Sequence, residues 1–381
     1  MTLEVPLEEL ATRTSAKWRV YPEDVLPMWV AEMDFPLAVP IARTLHEAVD
    51  RSDTGYRFPA GLAESLVAFC QRTWDFEPDV DSVLVYADVM SAIAYTLSVF
   101  TKPGELVVIN PPVYHPFFST VQDVAKRGLA EVPLLRDGQA WALDFDGLAA
   151  AFARPEVTAY LMCNPHNPTG TVFSAADLAR VAMLARANDV LVLVDEIHAP
   201  LVLPGATHTP YVSLGTDVVG DAFSYISASK GWNIAGLKCA QLIASSPELA
   251  KRMNDELPYE ASFGTGHFGV LAAIAAYNDG EAWMAQVHAH LDRMRALVAE
   301  LLAEQAPWVG YAPPQASYLA WLDFRETDLG NDPAEALLER ERLALNSGLM
   351  FGREGAGFAR LNFATSEELV REAVRRISLC R

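Results

Sequence analysis

Residues 190–198 read Val190-Leu-Val-Leu-Val194 and then Asp195-Glu-Ile-His198. Five consecutive apolar residues predict a strand buried on both faces, as in a parallel sheet covered by helices. The strand runs directly into a carboxylate. An unpaired carboxylate at the end of a buried strand is costly, so Asp195 needs a partner. Upstream, Ser174 to Asn188 has a helical pattern with Ser174 as a plausible cap. Further strands are predicted at Leu106–Ile109, Thr158–Cys163, Ala222–Ile226 and Cys239–Ala244. Strands alternating with helices imply an α/β fold with a largely parallel sheet.

Ligands of such sheets sit beyond the carboxyl ends of the strands. Asn110-Pro-Pro-Val-Tyr114 follows the first predicted strand. Asn164-Pro-His-Asn167-Pro-Thr-Gly170 follows the second, and Asp195-Glu-Ile-His198 the third. Ser227-Ala-Ser-Lys230-Gly-Trp-Asn233 follows the fourth. An aromatic ring, an amide, a carboxylate, two hydroxyls and a lysine would meet on one edge, which is the pattern of a cofactor site. After about residue 265 the texture changes. A helical pattern runs from Val270 to about Gln305, with a break near Asn278-Asp-Gly280. Short strand-like pieces at Tyr318–Leu322 and Phe358–Phe363, with helices at 333–347 and 366–378, read as a smaller α+β unit.

The chain has 381 residues, 29 basic and 49 acidic side chains, and a net charge of −20. That charge argues against a polyanionic main partner, whether nucleic acid or anionic membrane. It leaves room for a local basic pocket. An apolar fraction of 51% and a charged fraction of 20% describe an ordinary globular chain. The four cysteines, Cys70, Cys163, Cys239 and Cys380, are never closer than 76 residues. No zinc knuckle or dense disulfide framework is therefore expected. The first ten residues, MTLEVPLEEL, lack a signal peptide's basic and apolar regions. Apolar runs reach about eight residues, against the ~20 that span a bilayer. A soluble cytoplasmic protein is expected.

The ordered set Pro165-His-Asn167-Pro-Thr-Gly170, Asp195-Glu196, and Ser227-x-x-Lys230 with Lys238 eight residues on is similar to a known family. It resembles the fold-type I pyridoxal-phosphate enzymes of the class I/II aminotransferase superfamily. Lys17-Trp18, the block Leu26-Pro-Met-Trp-Val-Ala-Glu-Met-Asp-Phe35, and Asp195-Glu-Ile-His198 resemble its cystathionine β-lyase, or C–S lyase, branch. So do Asn233-Ile-Ala-Gly-Leu237, Ser317-Tyr-Leu-Ala-Trp-Leu-Asp323 and Arg360-Leu-Asn362. The resemblance covers nearly the whole chain. It implies a mostly parallel seven-stranded sheet between helices in a large domain, about 46–265. A smaller α+β domain, 266–381, would be joined by the N-terminal segment 1–45.

The resemblance also implies roles. Lys230 would hold the cofactor's aldehyde covalently, which requires an amine able to become neutral. A lone lysine after a strand is ordinarily a solvated charge; the flanking hydroxyls and upstream set point elsewhere. Asp195 would pair with the ring nitrogen and make the ring an electron sink. Asn167 would bond the ring's phenolic oxygen, and Tyr114 would stack on the ring face. Ser227, Ser229, Lys238 and the amides of Val89 and Met90 would hold the phosphate, the last two opening a helix to Phe100. Asp88 stands where the family usually has glycine. A carboxylate there could cap that helix, yet would sit near a dianion. Arg360 would clamp the substrate carboxylate, with Asn167, Ala31 and Trp29 also at the substrate. Tyr56 would reach a neighbouring subunit's site in a homodimer with composite sites. His198 could support Asp195 or be structural.

The activity implied is α,β-elimination from an S-substituted L-cysteine, giving thiol, pyruvate and ammonia. Cystathionine is the default substrate, and specialised conjugates, including those of sulfur-containing antibiotic pathways, are open. An aminotransferase is the main alternative, since both reactions begin with the same proton abstraction. Other readings fail on context. Gly264-Thr-Gly266-His-Phe-Gly269 fits a dinucleotide fingerprint, but the residues before it contain Pro258 and do not read as a strand. Ser227-x-x-Lys230 fits an acyl-enzyme motif without its companion triplets. His288 and His290, two apart, do not share a helix face, so no metal site is expected. A cofactor-binding regulator would need an added DNA-binding segment, and the motifs already begin at residue 17.

Overall fold

The computed structural model describes residues 3–258, 261 and 263–380. Seven strands form the central sheet: β1 Val83–Tyr86, β2 Leu106–Ile109, β3 Gly128–Glu131, β4 Val157–Cys163, β5 Leu191–Asp195, β6 Ala222–Ile226 and β7 Ala240–Ala244. Their order across the sheet is β1-β7-β6-β5-β4-β2-β3. Only β7 runs against its neighbours, β1 and β6. The remaining pairs are parallel.

The uninterrupted apolar run of β5 has the expected cause. Val192 and Val194 face one hydrophobic core, and Leu193 faces another on the opposite side. In β4, Tyr160 and Met162 likewise face the first core, and Leu161 and Cys163 the second. Helix Ala175–Arg186, capped by Ser174, contributes Leu178 and Val181 to the first core. Helix Val89–Phe100 contributes Ile93 and Leu97 to the second. Alternation also settles the neighbours Asp195 and Glu196. Asp195 ends the strand on the second side and reaches the open edge. Glu196 turns inward, where its carboxylate accepts the amide of Tyr211 at 2.7 Å.

Beyond residue 266, helices His267–Asp279 and Glu281–Gln305 are separated at Gly280, where the sequence predicts a break. Strands Leu319–Asp323, Phe358–Asn362 and Asn346–Ser347 form a small antiparallel sheet. The helix expected over 333–347 is shorter and ends at Glu341. Arg342 adopts a left-handed conformation (φ 55°) that closes it. Leu343–Ala344 then pairs in parallel with Leu26–Pro27. That pairing ties the N-terminal segment to the C-terminal unit and carries residues 29–35 over the edge of the large sheet. Strands β1 and β3 were not expected from the sequence. Each has only four residues and lies at a sheet edge. Among the described residues, no helix is long and apolar enough to cross a membrane.

Candidate active site

Parallel register brings the loops after β4, β5 and β6 together. Cys163 lies opposite Asp195, and Asp195 opposite Tyr225. Asn167, Asp195, Ser227 and Lys230 therefore open onto one cavity of about 700 Å³. Trp29, Ala31, Val89, Met90, Tyr114, His198, Ser229, Lys238 and Arg360 line it too. Of the residues implied at the site, Tyr56 alone is absent from its walls. Its side chain is fully exposed, at 103% of the reference area.

Lys230 is half-buried, and its amine donates to the carbonyl oxygen of Ala31 at 2.8 Å. Desolvation, with Arg360 nearby, pulls this amine down to about 8. Such a lysine can supply a neutral amine near physiological pH. Asp195 accepts the amide of Ile197 at 3.0 Å, and burial pushes its carboxyl up to about 7. A protonated ring nitrogen would relieve that penalty by supplying the opposite charge. Arg360 is buried and donates to Asn167 Oδ1 at 2.9 Å and to the Trp29 carbonyl at 3.2 Å. Its guanidinium stacks over Phe351 at 5.0 Å, and its Nε atom is buried without a partner among the described residues. An unpaired donor on a desolvated cation is an open position for a carboxylate.

At the opposite end, Ser227 Oγ donates to the Cys239 carbonyl and accepts the amide of Ser229. Val89 and Met90 begin the helix to Phe100, as the sequence suggests. Asp88 does cap that helix: its carboxylate accepts the amide of Ser91 at 2.8 Å. It also receives Lys238 Nζ at 3.0 Å. Tyr114 lines the cavity, with burial raising its phenol. His198 is buried beside Tyr318, and burial pulls it down to about 3. No hydrogen bond joins it to Asp195 among the described residues, so support of Asp195 falls to Ile197. His288 and His290 instead bond the carbonyls of Pro200 and Thr365. No group of residues fit to hold a metal ion occurs among those described.

Sequence reasoning gave Tyr318 no role. Its hydroxyl donates to the same Ala31 carbonyl at 3.1 Å. The only signal was its place in the block Ser317–Asp323, which carries no chemistry until the fold sets it beside residue 31.

The sequence profile of the family described as aminotransferase class I and II matches residues 30–377. Cystathionine beta-lyase of Corynebacterium glutamicum is 36% identical, over 98% of this chain and 98% of that one. Cystathionine beta-lyase PatB of Bacillus subtilis is 33% identical, over 97% of each. Cystalysin from Treponema denticola, whose crystal structure contains pyridoxal 5'-phosphate, superposes with a TM-score of 0.92. It is 24% identical, with 99% of this chain and 97% of that one covered, and so attests the shared fold.

Proposed function

The chain belongs to the aminotransferase class I and II family, and on that premise we propose that it is a pyridoxal-phosphate-dependent carbon–sulfur lyase acting on S-substituted L-cysteines. One observation carries this reading. Lys230, Asp195, Asn167 and Arg360 converge on one cavity, in a chain 36% identical along its length to a cystathionine beta-lyase.

The residues fit the cofactor. Lys230 would hold its aldehyde carbon, Asp195 its ring nitrogen, and Asn167 its ring oxygen. Ser227, Ser229, Lys238 and the amides of Val89 and Met90 would hold its phosphate, and Tyr114 would cover a ring face. When bound, pyridoxal phosphate supplies an aldehyde for the substrate amine and a ring that draws electrons from the substrate's α-carbon.

The chain's own groups do the rest. Arg360 binds the substrate carboxylate, exchanging its contacts with Asn167 and the Trp29 carbonyl for a two-pronged ion pair. Lys230, once its amine is free, takes the α-proton as general base; its lowered basicity gives it a larger neutral fraction near physiological pH than an ordinary lysine has. The Ala31 carbonyl receives the amine between these roles. The β-sulfur departs as a thiol, and the remaining enamine hydrolyses to pyruvate and ammonia.

We further propose a homodimer in which Tyr56 enters the neighbouring subunit's site; its complete exposure and the 77% exposure of Phe58 support this. A division at about residues 45 and 265 is supported by the pairing of Leu26–Pro27 with Leu343–Ala344. Four buried free cysteines suit a reducing cytoplasm.

The reaction is tested with cystathionine and a simple S-alkyl cysteine, without any 2-oxo acid. The expected result is thiol and pyruvate in equal amounts. A strict need for a 2-oxo acid, with its amino acid as product, would replace the lyase reading by an aminotransferase.

A further inference from the structure

We propose that Asp88 weakens and tunes phosphate binding in the cavity, because its carboxylate and the cofactor's phosphate compete for Lys238. This rests on the pyridoxal-phosphate reading above and adds to it a residue that sets cofactor affinity.

The juxtaposition follows from register. Tyr86, the last residue of β1, lies opposite Ala240, the first of β7. Residues leaving β1 therefore lie beside residues entering β7, and Asp88 meets Lys238. One carboxylate oxygen of Asp88 accepts the Ser91 amide at 2.8 Å, and the other receives Lys238 Nζ at 3.0 Å. Lys238 holds a left-handed backbone conformation (φ 59°) at the turn that enters β7.

The other cations of the cavity are engaged elsewhere. Lys230 rests on the Ala31 carbonyl, and Arg360 on Asn167 and Trp29. At the phosphate end, Lys238 stands with the hydroxyls of Ser227 and Ser229 and the first amides of a helix. Asp88 matches its charge one for one. An arriving dianion therefore meets a cradle whose lining side chains carry no net charge, at a helix start already capped by a carboxylate. A partly exposed unit charge a few ångströms from a dianion changes affinity by roughly three- to thirtyfold. Holding Lys238 in place is worth less, since both partners are about half exposed. Repulsion therefore outweighs orientation, and the cofactor's retention leans on its covalent link to Lys230.

The test is Asp88→Asn, whose side-chain oxygen can still cap the helix. Asp88→Ser is a second capping variant. Cofactor-free wild type and variants are titrated with pyridoxal phosphate and with pyridoxal, both followed by absorbance, and with inorganic phosphate as competitor. Both variants should bind pyridoxal phosphate and inorganic phosphate roughly three- to thirtyfold more tightly, with pyridoxal unchanged. Equal or weaker pyridoxal-phosphate binding by a variant that melts like wild type would overturn the proposal. So would an equal gain for pyridoxal. Wild type that binds no pyridoxal phosphate would overturn the cofactor reading itself, and the proposal with it.

Discussion

The amine of Lys230 sits 2.8 Å from the backbone carbonyl of Ala31, a residue 199 positions earlier in the chain. Ala31 belongs to a strap of backbone carbonyls that all receive side-chain donors. Arg360 donates to Trp29, Asn362 to Val30 and Glu32, and Tyr318 also to Ala31. Lys17 donates to Glu32, Asn233 to Met33, and Arg13 to Asp34 and Phe35. Irregular backbone over a cavity keeps one geometry only when its polar groups are satisfied. The strap fixes the acceptor on which the free lysine amine rests.

Burial should make that amine reactive near neutral pH. In the cofactor-free protein, reductive methylation of Lys230 should be half-maximal near pH 8. An ordinary lysine would need a pH above 10. Peptide mapping of the labelled protein reads this directly. Half-maximal labelling at the ordinary value would mean a solvated amine. Lys230→Ala should abolish turnover and the reducible covalent cofactor adduct together.

Asp195→Asn should lower turnover by several orders of magnitude, because an amide cannot hold a pyridinium proton by charge. The cofactor-free protein should respond in the opposite direction. The Asp195 carboxyl is raised from 3.8 to about 7 on folding. Its stabilising effect is complete below the unfolded value and is lost as pH rises through 7. Above pH 7 the cofactor-free Asn variant should therefore be the more stable, by roughly 2–4 kcal/mol. Below about pH 4 the difference should vanish. Thermal melts at several pH values decide it. A variant no more stable at pH 8 would mean the carboxylate already has its counter-charge.

Arg360→Lys should raise KM far more than it lowers cofactor affinity. Lysine keeps the charge but loses the planar fork, the stacking on Phe351 and the contact with Asn167. A loss of ~2–3 kcal/mol, or about 30- to 150-fold in kcat/KM, is expected. Steady-state kinetics beside a cofactor titration separate the two. A large drop in cofactor affinity would move Arg360 from the substrate to the cofactor.

The central strands and the cavity-lining residues at their ends were legible because buried parallel strands carry dense local signals. Val190–Val194 is apolar throughout, and the motif residues follow within a few positions. Edge strands Val83–Tyr86 and Gly128–Glu131 were not legible, being short and paired on one side. The strap was legible as a block of residues but not as a device. Its donors Lys17, Asn233, Tyr318, Arg360 and Asn362 come from distant parts of the chain, and only tertiary contact reveals the shared target. Asp88 showed both of its roles as possibilities. Geometry was needed to place Lys238 on it.

The Lys17–Asp34 pair tests whether the strap serves catalysis or only folding. The pair is 2.7 Å apart, and its side chains are 0% and 2% exposed. Asp34 also accepts the Trp18 indole, while Lys17 reaches the Glu32 carbonyl. Lys17→Met strands a buried carboxylate and should cost about 3–5 kcal/mol. The double variant Lys17→Met, Asp34→Leu removes both charges and should recover most of that stability. It does not restore the Lys17 hydrogen bond to the carbonyl of Glu32, the residue next to Ala31, and leaves Asn362 as that carbonyl's side-chain donor. Turnover should therefore stay depressed in the double variant, and the pH of half-maximal Lys230 labelling should stay displaced. Thermal melting, kcat and lysine labelling on the two variants separate the effects. If stability and turnover recovered together, the buried pair would serve the fold alone, and the acceptor for Lys230 would owe nothing to it.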